Sequence, residues 1–373
     1  MESPTGNPTP VSRSPMTLAD ITGDLLWPQL FHAARLALSP GRLLIAFAVV
    51  VIIFSLDSAL PGPKPGPAQA LLNAAQEQIT SYLASVFRAT THTPLKPWTY
   101  NPEQPVTLTW LSALMALPAL VIFVIGGGAI SRSVACDYGA NVRLRWTESL
   151  GFAVGRAWSL AFAQLAPLAL IGAIVAIIWL SGFLLQWPVV NLLGGLLYGL
   201  GLALGLLAAV LFTIYLAGQM LLAPAVAANG ADGFGAIERA YAYVLSHPGR
   251  LILYTLIAAA QGILALTIAS AIIIGAGSLV SQVTRAPAPP PDALAEIPWH
   301  VKRTLTLIEI WNAAIGALLV AYAVSFYFTA STLIYLLMRR MTDGQDAAEI
   351  WMPGYIDSTR AKATDRTADH GRS

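Results

Sequence analysis

Long uninterrupted apolar runs restrict how this chain can fold more than any other feature. The hydrocarbon core of a bilayer is about 30 Å thick, so a helix that crosses it needs about 20 mainly apolar residues. These runs lack the alternation of barrel strands, and in lipid an open strand cannot satisfy its backbone groups as a helix does. The sequence therefore predicts an all-α integral membrane protein with about six transmembrane helices. The six predicted spans are 43–60, 108–130, 157–185, 190–223, 251–280 and 307–338.

Composition supports this class and excludes others. Hydrophobic residues make up 56% of the 373-residue chain and charged residues only 11%, whereas about 25% of a soluble domain is charged. The net charge of +2 gives no field that would attract nucleic acid. Because Cys136 is the only cysteine, the chain cannot form an intrachain disulfide.

The spans predict a single membrane domain over 17–352, with a disordered start over 1–16 and a mobile tail over 353–373. The longer loops, 61–107 and 281–306, would face outward. Whether the short run 43–60 crosses the bilayer completely is left open.

Basic residues predict the orientation of this domain. Most of the 21 Lys and Arg residues lie in the N-terminal segment, the loops 131–156 and 224–250, and the C-terminal tail. Since cytoplasmic loops are enriched in Lys and Arg, we expect a bacterial inner-membrane protein with both termini in the cytoplasm.

A Gly-Arg pair marks the start of every second span. The pairs are Gly41-Arg42, Gly155-Arg156 and Gly249-Arg250. A short amphipathic stretch precedes each pair, with apolar residues recurring on one helical face. We interpret this as three parallel units, each an in-plane helix followed by two spans. Arg42, Arg156 and Arg250 would contact lipid headgroups. The alternative is that Gly turns and loop arginines occur in any membrane protein.

Charged and polar residues near the spans are few. Asp57, Glu309 and Asn312 lie toward the outer ends of their spans, and Glu309 and Asn312 share a helix face because they are three residues apart. Together they would line a polar outer vestibule, unless they are simply water-exposed at the interface. Gln164, Gln219 and Gln261 are expected to form interhelical hydrogen bonds.

Motifs of catalysis and cofactor binding are missing from the sequence. The five histidines have no metal-ligand spacing, and neither a P-loop nor a GxSxG elbow is present. We therefore predict no catalytic residue, metal or cofactor. If the chain were an intramembrane lipid enzyme, the polar set to nominate would be Asp232, Glu238, Arg239 and Arg250.

Three stretches resemble a known group of proteins: 130–167, 231–254, and the closing 336–350 with Arg339-Arg340 and Asp343-Gly344. They look like uncharacterised multi-pass membrane proteins of planctomycete-type bacteria. The layout is also similar to the membrane domain fused to some glycerophosphodiester phosphodiesterases, although this chain lacks the phosphodiesterase domain. The resemblance implies a membrane component without an assigned reaction.

The functional hypothesis is a non-enzymatic inner-membrane protein that serves as an accessory or scaffold. Its expected partners are membrane lipids and other membrane proteins, and not nucleic acid. The alternative is a channel or permease for a small or lipidic substrate.

Overall fold

The computed structural model describes residues 27–58, 110–184, 190–284 and 299–351. Within these ranges the chain is helical and has no strand, which confirms the all-α prediction. A 3-10 turn, Trp27–Phe31, leads into the first helix. The helices are α1 (His32–Ala37), α2 (Pro40–Ser58), α3 (Trp110–Gly139), α4 (Trp146–Gly155), α5 (Ala157–Leu184), α6 (Val190–Asn229), α7 (Gly233–Ser246), α8 (Pro248–Thr284) and α9 (Trp299–Asp343).

Five of the described helices, α3, α5, α6, α8 and α9, are long and apolar enough to cross a membrane. A sixth span exists if the bent pair Pro28–Ala37 and Pro40–Leu56 counts as one, with a bend of 66° between its halves. Several helices extend past their predicted ends. In α3, residues 131–139 were expected to be loop and are helical, and α9 begins at Trp299 and ends at Asp343. The predicted loop 61–107 and the terminal segments 1–16 and 353–373 lie outside the described residues.

Among the described elements, a short helix followed by two long ones occurs three times in succession. Unit 1 is α1–α3, unit 2 is α4–α6 and unit 3 is α7–α9. The Gly-Arg pairs lie where the short helix meets the first long helix of each unit. Asp232 caps α7, because its carboxylate accepts a hydrogen bond from the Gly235 N–H at 3.1 Å.

The three units close into a ring. The short helix α4 of unit 2 packs on α3 and α2 of unit 1, and α7 of unit 3 packs on α6 and α5 of unit 2. Those two contacts join units that follow each other directly along the chain. The contact that closes the ring joins opposite ends of the sequence: α1 and its 3-10 turn pack on α8 and α9 of unit 3. There the Gln261 amide donates to the Phe31 carbonyl at 2.8 Å, and the Ser325 hydroxyl donates to the Ala37 carbonyl at 2.8 Å.

The second long helix of each unit lies at the centre, where α3, α6 and α9 contact one another. Three consecutive glycines of α3 make this packing possible. A Cβ added at Gly126 would lie 2.2 Å from Val49, one at Gly127 2.1 Å from Phe328, and one at Gly128 2.5 Å from Leu160. Each glycine therefore admits a side chain from a different helix, as small residues do in membrane bundles.

The glycines of α6 behave differently. Within the described part of the chain, a Cβ added at Gly195, Gly199, Gly201 or Gly205 would meet no atom within 4 Å. Their four-residue spacing is typical of close helix contact, yet no such contact is found at these positions among the described residues. Gln164 donates to the Tyr215 hydroxyl of α6 at 2.8 Å. With the Gln261 bond to Phe31, this confirms a hydrogen bond between elements for two of the three span glutamines, and for Gln219 it stays a prediction.

Candidate functional site

The carboxyl ends of α3, α6 and α9 converge on a buried polar cluster. The carboxyl end of α6 lies at the middle of this cluster. Three arginines surround it: one from α3, one from the junction between α4 and α5, and one from α9. Arg132 of α3 donates to the Ala227 carbonyl at 2.9 Å, Arg156 donates to the Gly230 carbonyl at 2.7 Å, and Arg339 of α9 donates to the Asn229 side-chain oxygen at 2.6 Å. Cations here satisfy terminal carbonyls and complement the negative end of the helix dipole.

Gly230 ends α6 in the left-handed conformation, with φ of +58°, as is common just after a helix. The backbone N–H of Trp351 donates to the Ala228 carbonyl at 3.0 Å, and the indole of Trp351 lies 5.0 Å from the Arg156 guanidinium. The segment after α9 therefore closes over the end of α6.

Tyrosines extend the cluster toward α7. The Asn229 amide donates to the Tyr335 hydroxyl at 2.7 Å, and the Tyr243 hydroxyl donates to the Asp343 carboxylate. Burial raises the pKa of Tyr243 above its ordinary value, and the neighbouring Tyr335 and Asp343 act in the same direction. Tyr243 is therefore a neutral donor at physiological pH.

Sequence reasoning missed Arg132 and Arg339, whose side chains are 4% and 1% exposed. Arg339 offered a signal, because a basic residue in the last turn before an Asp-Gly pair is typical of a helix end. Arg132 offered none, since it falls in what reads as a cytoplasmic loop. Among the described residues, no carboxylate lies within 4 Å of either guanidinium. Both arginines serve helix ends, and this is a structural role.

The structure places the predicted headgroup arginines in three different environments. Arg42 is 2% exposed and its guanidinium bonds within the protein. It donates to the Asp137 carboxylate at 2.6 Å, the Ser133 hydroxyl at 3.0 Å and the Leu36 carbonyl at 2.6 Å. This differs from the expected headgroup contact, because Asp137 belongs to the unforeseen last turns of α3 and supplies a partner.

Arg156 is half-buried in the α6 cluster, and Arg250 is exposed at the start of α8. The Arg250 guanidinium lies 3.7 Å from the Met341 sulfur. A headgroup contact stays a prediction for these two arginines.

The predicted outer vestibule is only partly described. Glu309 and Asn312 are exposed on α9, in a segment whose side chains pack little against the rest of the chain. Asp57 belongs to α2, but its side chain lies outside the described residues. The vestibule therefore stays a prediction.

The four residues nominated for an intramembrane enzyme do not line a common cavity in the described part of the chain. Asp232 is occupied in capping α7, and Glu238, Arg239 and Arg250 are exposed. Across the described ranges, no group of three His, Cys, Asp or Glu residues could hold a metal.

Cavities lie instead beside the short helices. Under α7, an apolar groove of about 530 Å³ is lined by Ala166, Ile214, Phe234 and Leu245 among others. Beside α1, a second apolar groove of about 450 Å³ lies against α8 and α9. Next to that groove, a cavity of about 350 Å³ lies at the bend between α1 and α2, and its mixed lining includes three arginines and one aspartate.

Comparisons with protein-family models, curated proteins and solved structures find no match. The resemblance to planctomycete-type membrane proteins therefore stays a prediction, and the function has to be argued from the geometry.

Proposed function

We propose that this chain is a non-enzymatic membrane protein that binds lipids between its units, as an accessory or scaffold in a bacterial inner membrane. The observation that carries the proposal is the pair of apolar grooves of about 450 and 530 Å³. Each runs under a short helix that packs across two spans of the neighbouring unit. Grooves of this size accommodate small ligands, and apolar walls at the rim of a membrane bundle suit an acyl chain.

The polar interior supports a structural role. Arg42, Arg132, Arg156 and Arg339 all donate to carbonyls, an amide oxygen or a carboxylate of the protein itself. Groups engaged in this way fix the helix ends rather than act on a substrate.

A permease for a small or lipidic substrate is the alternative, since Glu309 and Asn312 lie on one exposed face of α9. The packing of the centre favours the scaffold. The rings of Phe123 and Phe328 lie 5.0 Å apart, and the Gly127 position is filled by Phe328. Helices that contact this closely leave little room for a substrate path.

Quantifying the phospholipid that remains on the purified chain tests the proposal. Wild type should retain phospholipid through extensive detergent washing. Ala166→Trp and Ala269→Trp add bulk to the two grooves and should lower the amount retained. Matched tryptophans at Ala173 and Ala271, exposed positions of the same helices, should leave it unchanged.

Two results would count against the scaffold. One is wild type that carries no more lipid than the control purification. The other is proteoliposome flux that disappears in Glu309→Gln or Asn312→Ala, which would favour the permease.

A further inference from the structure

The cavity at the bend between α1 and α2 carries excess positive charge. Arg35, Arg42 and Arg143 line it, with Asp137 as the acidic residue in its wall. Arg42 is held by Asp137 at 2.6 Å, so the carboxylate compensates the buried guanidinium. The other two arginines supply the excess.

Both remaining guanidiniums are accessible. Arg143 is 90% exposed and lies 3.6 Å from Asp137, which already pairs with Arg42. Arg35 is also exposed, and within the described ranges no carboxylate lies within 4 Å of it. Charge complementarity therefore favours an anion. The amino end of α2 begins at Pro40 in the same cavity wall, and the positive end of its dipole adds to the attraction.

An apolar groove begins beside this cavity. Leu38 lines both the basic cavity and the groove between α1, α8 and α9. Leu43 and Leu318 line that groove and also a shallower apolar one that follows α2 along α9. A molecule with an anionic head and apolar chains would therefore meet a basic wall and apolar walls next to each other. Trp146, 46% exposed at the cavity rim, is a residue type enriched at membrane interfaces.

We infer that this junction is a specific site for an anionic glycerophospholipid, with its phosphate between Arg35 and Arg143 and a chain in the α1–α8–α9 groove. The inference rests on the proposed lipid-binding function and names the lipid class. Basic pockets between membrane helices bind acidic headgroups in this way. A zwitterionic lipid fits less well. The ammonium group of such a lipid would need a carboxylate partner, and Asp137 is already bonded to Arg42.

A lipid titration of the delipidated full-length chain in detergent tests the site by native mass spectrometry. The probes are dioleoyl-phosphatidylglycerol and dioleoyl-phosphatidylcholine, which share their chains. Each lipid-facing basic residue contributes about 1 kcal/mol, which corresponds to about fivefold in affinity. Arg35→Gln with Arg143→Gln should weaken phosphatidylglycerol binding about 25-fold and leave phosphatidylcholine almost unchanged. Arg145→Gln is the matched control, since Arg145 is exposed two residues away and does not line the cavity.

The groove is tested separately. Ala269→Trp should weaken phosphatidylglycerol binding, and Ala271→Trp should not. Glycerol phosphate at the same concentration should not compete. Full competition would show a soluble-anion site and overturn the lipid assignment.

Equal affinity of wild type for the two lipids, or an arginine double variant that binds like wild type, would overturn the inference and leave the general scaffold proposal standing. Absence of binding for both lipids would overturn the scaffold proposal as well. Circular dichroism and elution volume equal to wild type establish that the variants fold.

Discussion

Removing the charge of Arg42 should strongly destabilise the protein. The guanidinium is 2% exposed and bonds to Asp137, Ser133 and Leu36. Loss of one partner from a buried ion pair costs about 3–5 kcal/mol. Asp137 is 18% exposed and keeps Arg143 at 3.6 Å, so its carboxylate is not left wholly uncompensated. We therefore expect Arg42→Met to lower the free energy of unfolding by about 3 kcal/mol, at the low end of that range.

The assay is reversible unfolding in mixed micelles, followed by circular dichroism during titration with sodium dodecyl sulfate. Arg250→Met is the control, because Arg250 occupies the corresponding Gly-Arg position of unit 3 and is exposed. It should change stability by no more than about 0.5 kcal/mol. Adding Asp137→Asn to Arg42→Met should cost less than the sum of the single changes, since the two residues interact directly. Equal stability of the Arg42 and Arg250 variants would refute the buried pair.

Three further changes test other contacts by the same unfolding assay. Gly127→Ala would place a Cβ 2.1 Å from the Phe328 ring and should cost about 1–3 kcal/mol. Gly199→Ala has open space around it and should be neutral or slightly stabilising. Equal changes in stability for the two variants would contradict the central packing. Tyr243→Phe removes the hydroxyl that donates to the Asp343 carboxylate. Because Asp343 is exposed and water can replace that donor, the change should cost about 0.5–1.5 kcal/mol. Burial raises the pKa of Tyr243, so the contribution of its neutral hydroxyl to the free energy of unfolding is present below the ordinary tyrosine pKa of about 10 and is lost as the pH rises above it. Wild type should therefore lose stability in that pH range more steeply than Tyr243→Phe. Identical slopes of stability against pH would argue against a buried hydroxyl.

The spans and their order could be predicted from the sequence because both depend on local signals. Apolar runs report burial in lipid directly, and the Gly-Arg pairs mark each junction between a short helix and a span. The N-cap at Asp232 was also predictable, since its partner Gly235 lies three residues away.

The polar interior could not be predicted, because its partners are far apart in the sequence. Arg42 reads as an interfacial arginine, and only the fold brings it to Asp137, which lies 95 residues later. The apolar signal of the second span stops at Ile130, yet α3 continues to Gly139. Neighbouring protein rather than lipid surrounds that last segment, so hydropathy gives no sign of it. For the same reason the convergence of arginines on the end of α6 was invisible in the sequence.

Closure of the ring by α1 is the claim on which both lipid proposals depend, since α1 forms one wall of the groove against α8 and α9. Cross-linking in native membranes tests it most directly. Cysteines replace Phe31 and Gln261, whose backbone carbonyl and side-chain amide lie 2.8 Å apart, in a chain where Cys136 is changed to Ala. A short bismaleimide should join positions 31 and 261 within one chain and should not join 31 to a cysteine at Leu180 of unit 2. Linkage to position 180, or none to position 261, would contradict the ring.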